Sequence, residues 1–235
     1  MMTSLKYETL ERLKVSQPVD RIDFIADLCR NRRVLDIGCL DETALMKRDT
    51  QHWLHGRIGM TATKVTGIDS SSQLPVDGIS TGPNSHIFKG DGSNPSADQV
   101  YTVDIDIIVA GEFIEHLESP MAFLRTMKQR FPGRDFVMST PNGTSFANAL
   151  LASISCEAQH HDHLLTSTYK TLNTLCMRAK LTSWEIIPYK FYATEMLMQS
   201  KGLKRFSVRF VEAFVGVVEK LFPLRSFGYI VHAKL

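Results

Sequence analysis

The sequence predicts an α/β fold: a mostly parallel sheet with helices on both faces. Three observations carry this expectation. Strand-like and helix-like segments alternate along the chain, as βα units require. Ile105-Asp106-Ile107-Ile108-Val109 is almost continuously apolar, the composition of a parallel strand buried on both faces. Apolar runs also end in acids and glycines, first at Arg33-Val34-Leu35-Asp36-Ile37-Gly38-Cys39 and then at Val65-Thr66-Gly67-Ile68-Asp69.

Taken in order, residues 19–29 repeat Ile22, Ile25, Ala26 and Leu28 at helical spacing and predict a helix leading into the sheet. Strand one is Arg33–Ile37, followed by a helical stretch over 42–62 broken near Asp49. Strand two is 64–68, a loop covers 71–75, and a short strand three over 86–89 ends at Gly90-Asp91-Gly92. Strand four is 105–109. Ser119-Pro120 marks a helix start, a hydroxyl N-cap before proline at the first helical position, with Met121, Leu124, Met127 and Phe131 on one side. Strand five is 136–138. Residues 144–165 lack a strand pattern and read as an active-site lid, the usual role of a long connection. A helix over 167–180 turns Tyr169, Leu172, Leu175, Cys176 and Ala179 inward. Strands six and seven fall at 184–192 and 227–233, separated by a helical insert over 193–225 whose helix is 203–222.

The 235 residues suffice for one sizeable core, so residues 1–235 are expected to form a single domain. With 27 basic and 25 acidic residues the net charge is +2, which argues against nucleic acid as a partner. Cys29, Cys39, Cys156 and Cys176 form no CxxC pair and read as reduced thiols. The first fourteen residues carry Lys6, Glu8, Glu11, Arg12 and Lys14 without an apolar core, and no apolar run approaches membrane-spanning length. A cytoplasmic protein is expected.

Glycine at the carboxyl edge of an open sheet lets backbone approach a ligand, and an acid on the next strand suits ribose hydroxyls. Here the first acid, Asp36, precedes its glycine. That order resembles motif I of the class I S-adenosylmethionine (SAM) methyltransferases of the type 11/23 group. The resemblance implies a Rossmann-like seven-stranded sheet of order 3-2-1-4-5-7-6, with strand seven antiparallel. It implies SAM as cofactor and S-adenosylhomocysteine as product. It places Asp36, Gly38 and Cys39 at the methionine end, Asp69 and Ser70 at the ribose, Asp91 and Gly92 at the adenine, and Gly111 and Glu112 beside the cofactor. The sequence departs from the glycine-rich pattern, because Leu40 and Glu42 stand where further glycines are usual. Asp41 or Glu42 would cap the next helix or meet the cofactor's ammonium. His55 and Trp53 would wall the cofactor or pack in the core.

Glu112-Phe113-Ile114-Glu115-His116-Leu117 is the second strong signal. In a helix, Glu112, Glu115 and His116 share one face. One reading makes His116 a general base in an acceptor pocket, since imidazole titrates near neutrality, with Glu115 and His163 as further catalytic residues. The other makes Glu112, Glu115 and His116 ligands of a divalent metal. E-x-x-E-H, Ser139-Thr140-Pro141-Asn142 and His160-His161-Asp162-His163 resemble the RNA 2′-O-methyltransferases of the Hen1 type, which implies such a site, with His163 completing the ligand set. The bland alternative leaves His116 structural and lets His160, His161 and His163 cap the following helix.

The expected function is methyl transfer from SAM to a small-molecule or glycan acceptor, with oxygen favoured. The alternatives are a metal-dependent RNA 2′-O-methyltransferase and a silent methyltransferase-fold binding subunit. The wide apolar face of 203–222 would cover the acceptor pocket, pair two copies or lie on a membrane surface.

Overall fold

The computed structural model describes residues 5–40, 44–48, 50–95, 104–157 and 159–235. Its strands are β1 (Arg33–Ile37), β2 (Lys64–Asp69), β3 (Ile79–Gly82), β4 (Ser85–Lys89), β5 (Ile107–Gly111), β6 (Asp135–Pro141), β7 (Ser183–Tyr189) and β8 (Gly228–Lys234). They form one sheet of order β3-β4-β2-β1-β5-β6-β8-β7. β8 runs antiparallel to both β6 and β7, while β4, β2, β1, β5 and β6 are parallel neighbours. The expected order is therefore present, lengthened by one edge strand.

That additional strand, β3, pairs antiparallel with β4. Its sequence, Ile-Ser-Thr-Gly, is too short and polar to show a strand pattern. Gly78, at φ +75°, turns the chain into it. β5 begins two residues later than expected, because Asp106 serves as an anchor before the strand. The Asp106 carboxylate accepts from Arg33 N and from the Arg33 guanidinium at 2.8–3.0 Å. That guanidinium lowers the Asp106 pKa to about 2.

The helices are α1 (Arg21–Leu28), α2 (Leu54–Gly59), α3 (Pro120–Arg130), α4 (Phe146–Ser153), α5 (Tyr169–Arg178), α6 (Thr194–Gln199) and α7 (Gly202–Leu221). The Asp20 carboxylate caps α1 and the Ser119 hydroxyl caps α3. The predicted stretch over 42–62 resolves into a 3-10 turn at Ala44–Lys47 and α2. Residues 41–43 and 49 lie outside the described residues, and with them the expected roles of Asp41 and Glu42 and the break near Asp49. The segment 144–165 contains α4, a helix its sequence did not announce.

Alternation along the strands divides the core. Leu35, Ile37, Ile108, Phe136 and Met138 pack with α3 and α5 on one face. Val34, Val65, Ile107, Val109 and Val137 pack with Ile25 of α1 and Ile58 of α2 on the other. The same period of two sends Asp36, Gly111 and Ser139 toward α1 and α2.

Candidate active site

The carboxyl ends of β1, β2, β4 and β5 open onto a cavity of about 1400 Å³, ample for a cofactor and an acceptor together. Asp36, Gly38, Cys39, Asp69, Ser70, Asp91, Gly92, Gly111, Glu112, His116 and His163 all line it. Glu115 does not.

At the nucleoside end, Asp69 is buried at the tip of β2. Its Oδ2 accepts from Leu40 N and its Oδ1 from Ser71 N, both at 2.8 Å. These bonds hold the carboxylate at the rim and tie the turn after β1 to β2. The bond from Leu40 uses only its backbone N–H, so a side chain in place of the usual glycine does not prevent it. Asp91 is exposed, and its Oδ1 accepts from Ser93 N and Ser93 Oγ. Asp36 is only 2% exposed, and its Oδ2 lies 2.8 Å from His55 Nδ1. The other ring nitrogen of His55 meets Ser85 Oγ at 2.8 Å and Thr81 Oγ1 at 3.0 Å. Trp53 Nε1 donates to the Cys39 carbonyl at 2.9 Å, so Trp53 is buried beneath the turn while it and His55 still border the cavity.

Gly38 adopts φ +66°, and a Cβ there would stand 2.3 Å from Phe113 Cδ2. A Cβ on Gly92 would meet the same ring at 3.2 Å. The Phe113 ring is therefore wedged between the two glycine turns. Phe113 carries no signal for this role in the sequence, since both glycine turns it touches lie about twenty or more positions away.

The expected helical face of Glu112, Glu115 and His116 is corrected by the structure. Only Ile114–His116 forms a 3-10 turn, and Glu112 precedes it at φ +53°, a conformation disfavoured for a non-glycine residue. The three side chains consequently part company. Glu112 N donates to Ser139 O and Oγ, while Ser139 Oγ and Tyr189 OH each approach Glu112 Oε1 at 2.9 Å as donors. Arg21 Nη1 donates to Ser139 Oγ at 3.2 Å and stands 3.9 Å from Glu112 Oε1. Burial alone would lower the Arg21 pKa, but Tyr192, Glu112 and Tyr189 reverse this and raise it, so it stays a cation. Nothing in the sequence around Arg21 or Tyr189 marks them for this cluster, because their partners are about eighty or more positions away.

Glu115 points into the core, 2% exposed. Neither of its carboxylate oxygens meets a partner in hydrogen-bonding geometry among the described residues, although the Thr140 hydroxyl, itself buried and unpartnered, stands near enough to offset part of the pKa rise. Burial, then the nearby Glu112, raises its pKa well above the usual carboxylate value. Its backbone carbonyl accepts from Leu164 N at 2.9 Å and Leu165 N at 3.3 Å, fastening the loop that bears the later histidines.

That loop completes the other end of the cavity. The rings of His116 and His163 have centroids 4.7 Å apart, and His160 lies 5.9 Å from His116. Each offers a nitrogen within 4.8 Å of the others. The expected quartet of Glu112, Glu115, His116 and His163 is thus not gathered at ligand spacing: His160 stands in the cluster, Glu115 points into the core, and Glu112 lines the same cavity with Oε1 held by Ser139 and Tyr189. Burial lowers the pKa of both His116 and His163, which favours neutral imidazoles.

Comparison with known proteins agrees with this architecture. The family model described as a methyltransferase domain matches residues 10–186. No curated protein sequence matches the chain. Among solved structures, a SAM-dependent methyltransferase from Archaeoglobus fulgidus is 18% identical, covering 91% of this chain and 90% of its own, with TM-score 0.52. The small RNA methyltransferase HEN1 is 16% identical at TM-score 0.57, covering 96% of this chain but 27% of its own. A possible histamine N-methyltransferase from Thermotoga maritima is 11% identical at TM-score 0.56, covering 91% of this chain and 86% of its own. With a match over most of its length and this sheet, the chain belongs to the methyltransferase domain family and has the class I SAM-dependent methyltransferase fold.

Proposed function

We propose that this chain methylates an oxygen of a small-molecule or glycan acceptor, using SAM. The observation that carries the reading is one cavity joining two carboxylate acceptors, Asp69 and Asp91, to the His116 imidazole. The acceptor chemistry fits a nucleoside. Asp69, already oriented by two backbone N–H groups, would take the ribose hydroxyls, with Ser70 beside it. Asp91 and Gly92 would take the adenine amino group. Gly38, Cys39 and Gly111 would border the methionine part, with Glu112 held beside it by Ser139, Tyr189 and Arg21.

When bound, SAM supplies a methyl carbon already activated by its sulfonium. The protein's task is then to align the acceptor, exclude water and remove a proton. His116 is the base in this reading, its lowered pKa keeping it neutral and able to accept the hydroxyl proton. His163, with its ring against His116, positions that imidazole. The segment 144–165, tied to the Glu115 carbonyl at its far end and to Asn142, Arg225 and Phe214 at its near end, acts as the lid, and 1–235 works as one domain.

A second reading is favoured by the histidine cluster itself. His116, His160 and His163 would hold a divalent ion, with small rotations bringing their nitrogens to the spacing of about 3.4 Å that a tetrahedral zinc site implies. The ion would then act as Lewis acid toward an acceptor hydroxyl, as in a metal-dependent RNA 2′-O-methyltransferase.

Calorimetry with SAM and S-adenosylhomocysteine tests the cofactor. Binding of both, reduced at least about tenfold in Asp69→Ala, is expected from a carboxylate that accepts from the ligand. Folded protein giving no heat with either would sink the enzyme reading and favour a silent binding subunit. Zinc or manganese titration into wild type and His160→Ala separates the two catalytic readings.

A further inference from the structure

We propose that the solvent-facing side of α7 seats this protein on the surface of an anionic phospholipid bilayer. Leu203, Phe206, Phe210, Phe214, Val217 and Leu221 recur three or four positions apart and so form a single stripe. They are not covered by the fold. Leu203 is 81% exposed, Phe206 69%, Phe210 67% and Leu221 68%. Over 20 residues the stripe runs about 30 Å. Phe222 continues it, and Leu150 of the neighbouring α4 and Ile154 just after that helix are also exposed. Phe146 of α4 meets Phe214 of α7 with ring centroids 5.9 Å apart. An uncovered apolar surface of this extent needs an occupant.

Charge on the same helix identifies the occupant. α7 holds two acids, and both face the protein. Glu219 accepts from Phe191 N at 3.0 and 3.1 Å, and Glu212 accepts from Ala193 N at 2.8 Å. Its exposed charges are all cationic: Lys204, Arg205, Arg209 and Lys220, with Lys201 just before and Arg225 just after. At 100° per residue, Lys204 falls on one flank of the stripe and Arg209 and Lys220 on the other. An apolar face with cationic flanks is the arrangement that lies in the headgroup plane of an anionic bilayer. A second copy of this surface would set cations against cations in either helix orientation, which disfavours self-association. No helix among the described residues is long and apolar enough to cross a membrane, so the contact is with the surface. Arg205 and Arg209 also line the cavity, so docking would bring the cavity mouth to the lipid. The docking proposal itself is independent of the reaction proposed above.

Cosedimentation of the full chain with large vesicles tests this. Vesicles of about one-third phosphatidylglycerol in phosphatidylcholine should bind at least about tenfold more tightly than pure phosphatidylcholine, and binding should weaken between about 0.1 M and about 0.5 M salt. Phe206→Ser/Phe210→Ser and Lys204→Glu/Lys220→Glu change exposed side chains only. Both should retain the wild-type circular dichroism and melting temperature yet lose at least about tenfold in vesicle affinity. Folded wild type that ignores phosphatidylglycerol vesicles, or binds neutral vesicles equally, overturns the proposal. So does a dimer in sedimentation equilibrium that Phe206→Ser/Phe210→Ser abolishes, without vesicle binding by the wild type.

Discussion

His55 Nδ1 lies 2.8 Å from Asp36 Oδ2 inside the layer between the sheet and α2. Both residues are buried. The acid that opens the glycine turn is therefore bound to a helix side chain, and that histidine is in turn held by Ser85 and by Thr81 of the edge strand β3. Asp36 fixes α2 against β1 and so sets the floor of the cavity. His55→Ala leaves a buried carboxylate without this partner and should cost about 3–5 kcal/mol in urea unfolding. Asp36→Leu/His55→Leu should recover much of that loss, since a matched apolar pair leaves no buried polar group without its partner.

Gly38 and Phe113 give the second prediction. Gly38→Ala must place a methyl group 2.3 Å from the Phe113 ring at φ +66°. The clash and the disfavoured backbone together should cost about 2–4 kcal/mol and weaken SAM binding. In Gly38→Ala/Phe113→Ala the clash is gone and only the backbone penalty of about 1–2 kcal/mol separates it from Phe113→Ala. A double-mutant cycle by urea unfolding measures the difference.

Most of the sheet was legible because its signals are local. The strands Arg33–Ile37 and Lys64–Asp69 announce themselves as apolar runs closed by an acid or a glycine, and Ser119-Pro120 is a start signal written in adjacent residues. β3 was not legible, since one isoleucine followed by three polar or small residues acquires strand geometry only by pairing with β4. In the site, the histidine cluster was half legible: His116 and His163 were expected there, while His160, like His163, also read as a cap and was given no other role. The carboxylates were misread for one backbone reason. A helical spacing rule places Glu112, Glu115 and His116 together, and a single positive φ at Glu112 cancels it. Arg21, Ser139 and Tyr189 converge on Glu112 from three elements far apart in sequence, a relation no local pattern contains.

His116 and His160 distinguish the two catalytic readings. As general base, His116→Ala should lower kcat by about 10²–10⁴ with SAM affinity kept, while His160→Ala changes kcat less than about tenfold. As metal ligands, both variants should lose metal and activity alike. Burial, the largest cause, holds the His116 pKa below 6.5. Under the general-base reading the acid limb of the kcat profile should therefore lie below that of an ordinary imidazole.

Glu115 makes a stability prediction that separates packing from catalysis. Its carboxyl is buried, meets no partner in hydrogen-bonding geometry among the described residues, and is absent from the cavity lining. Glu115→Leu should raise the unfolding free energy by about 1–3 kcal/mol, because an unsatisfied buried polar group is replaced by an apolar one of similar size. The same variant should leave kcat within about threefold of wild type if the side chain only packs. A fall of about a hundredfold with stability raised would instead assign the carboxyl a part in the reaction.

Glu219 ties the stability of α7 to pH. It is buried on the side of the helix opposite the exposed stripe, and burial raises its pKa from 4.5 to about 7. The folded state thus holds the Glu219 proton more tightly than the unfolded chain does. The stability linked to that proton is fully present below pH 4.5 and is lost as pH rises through about 7. Over this window the melting temperature should fall by a few degrees, on the order expected for a small change in stability of a chain this size. Glu219→Gln keeps a carbonyl oxygen for the Phe191 N–H but does not titrate, so its melting temperature should lose this dependence between about pH 5 and about pH 8. Differential scanning calorimetry on both proteins across that range measures it. Because Glu219 and Glu212 are the groups that turn the acidic side of α7 inward, the same substitution also asks whether the cationic face depends on that anchor. Vesicle binding that becomes independent of pH in Glu219→Gln, with wild-type binding weaker at the alkaline end, would show that the anchor controls how α7 is presented.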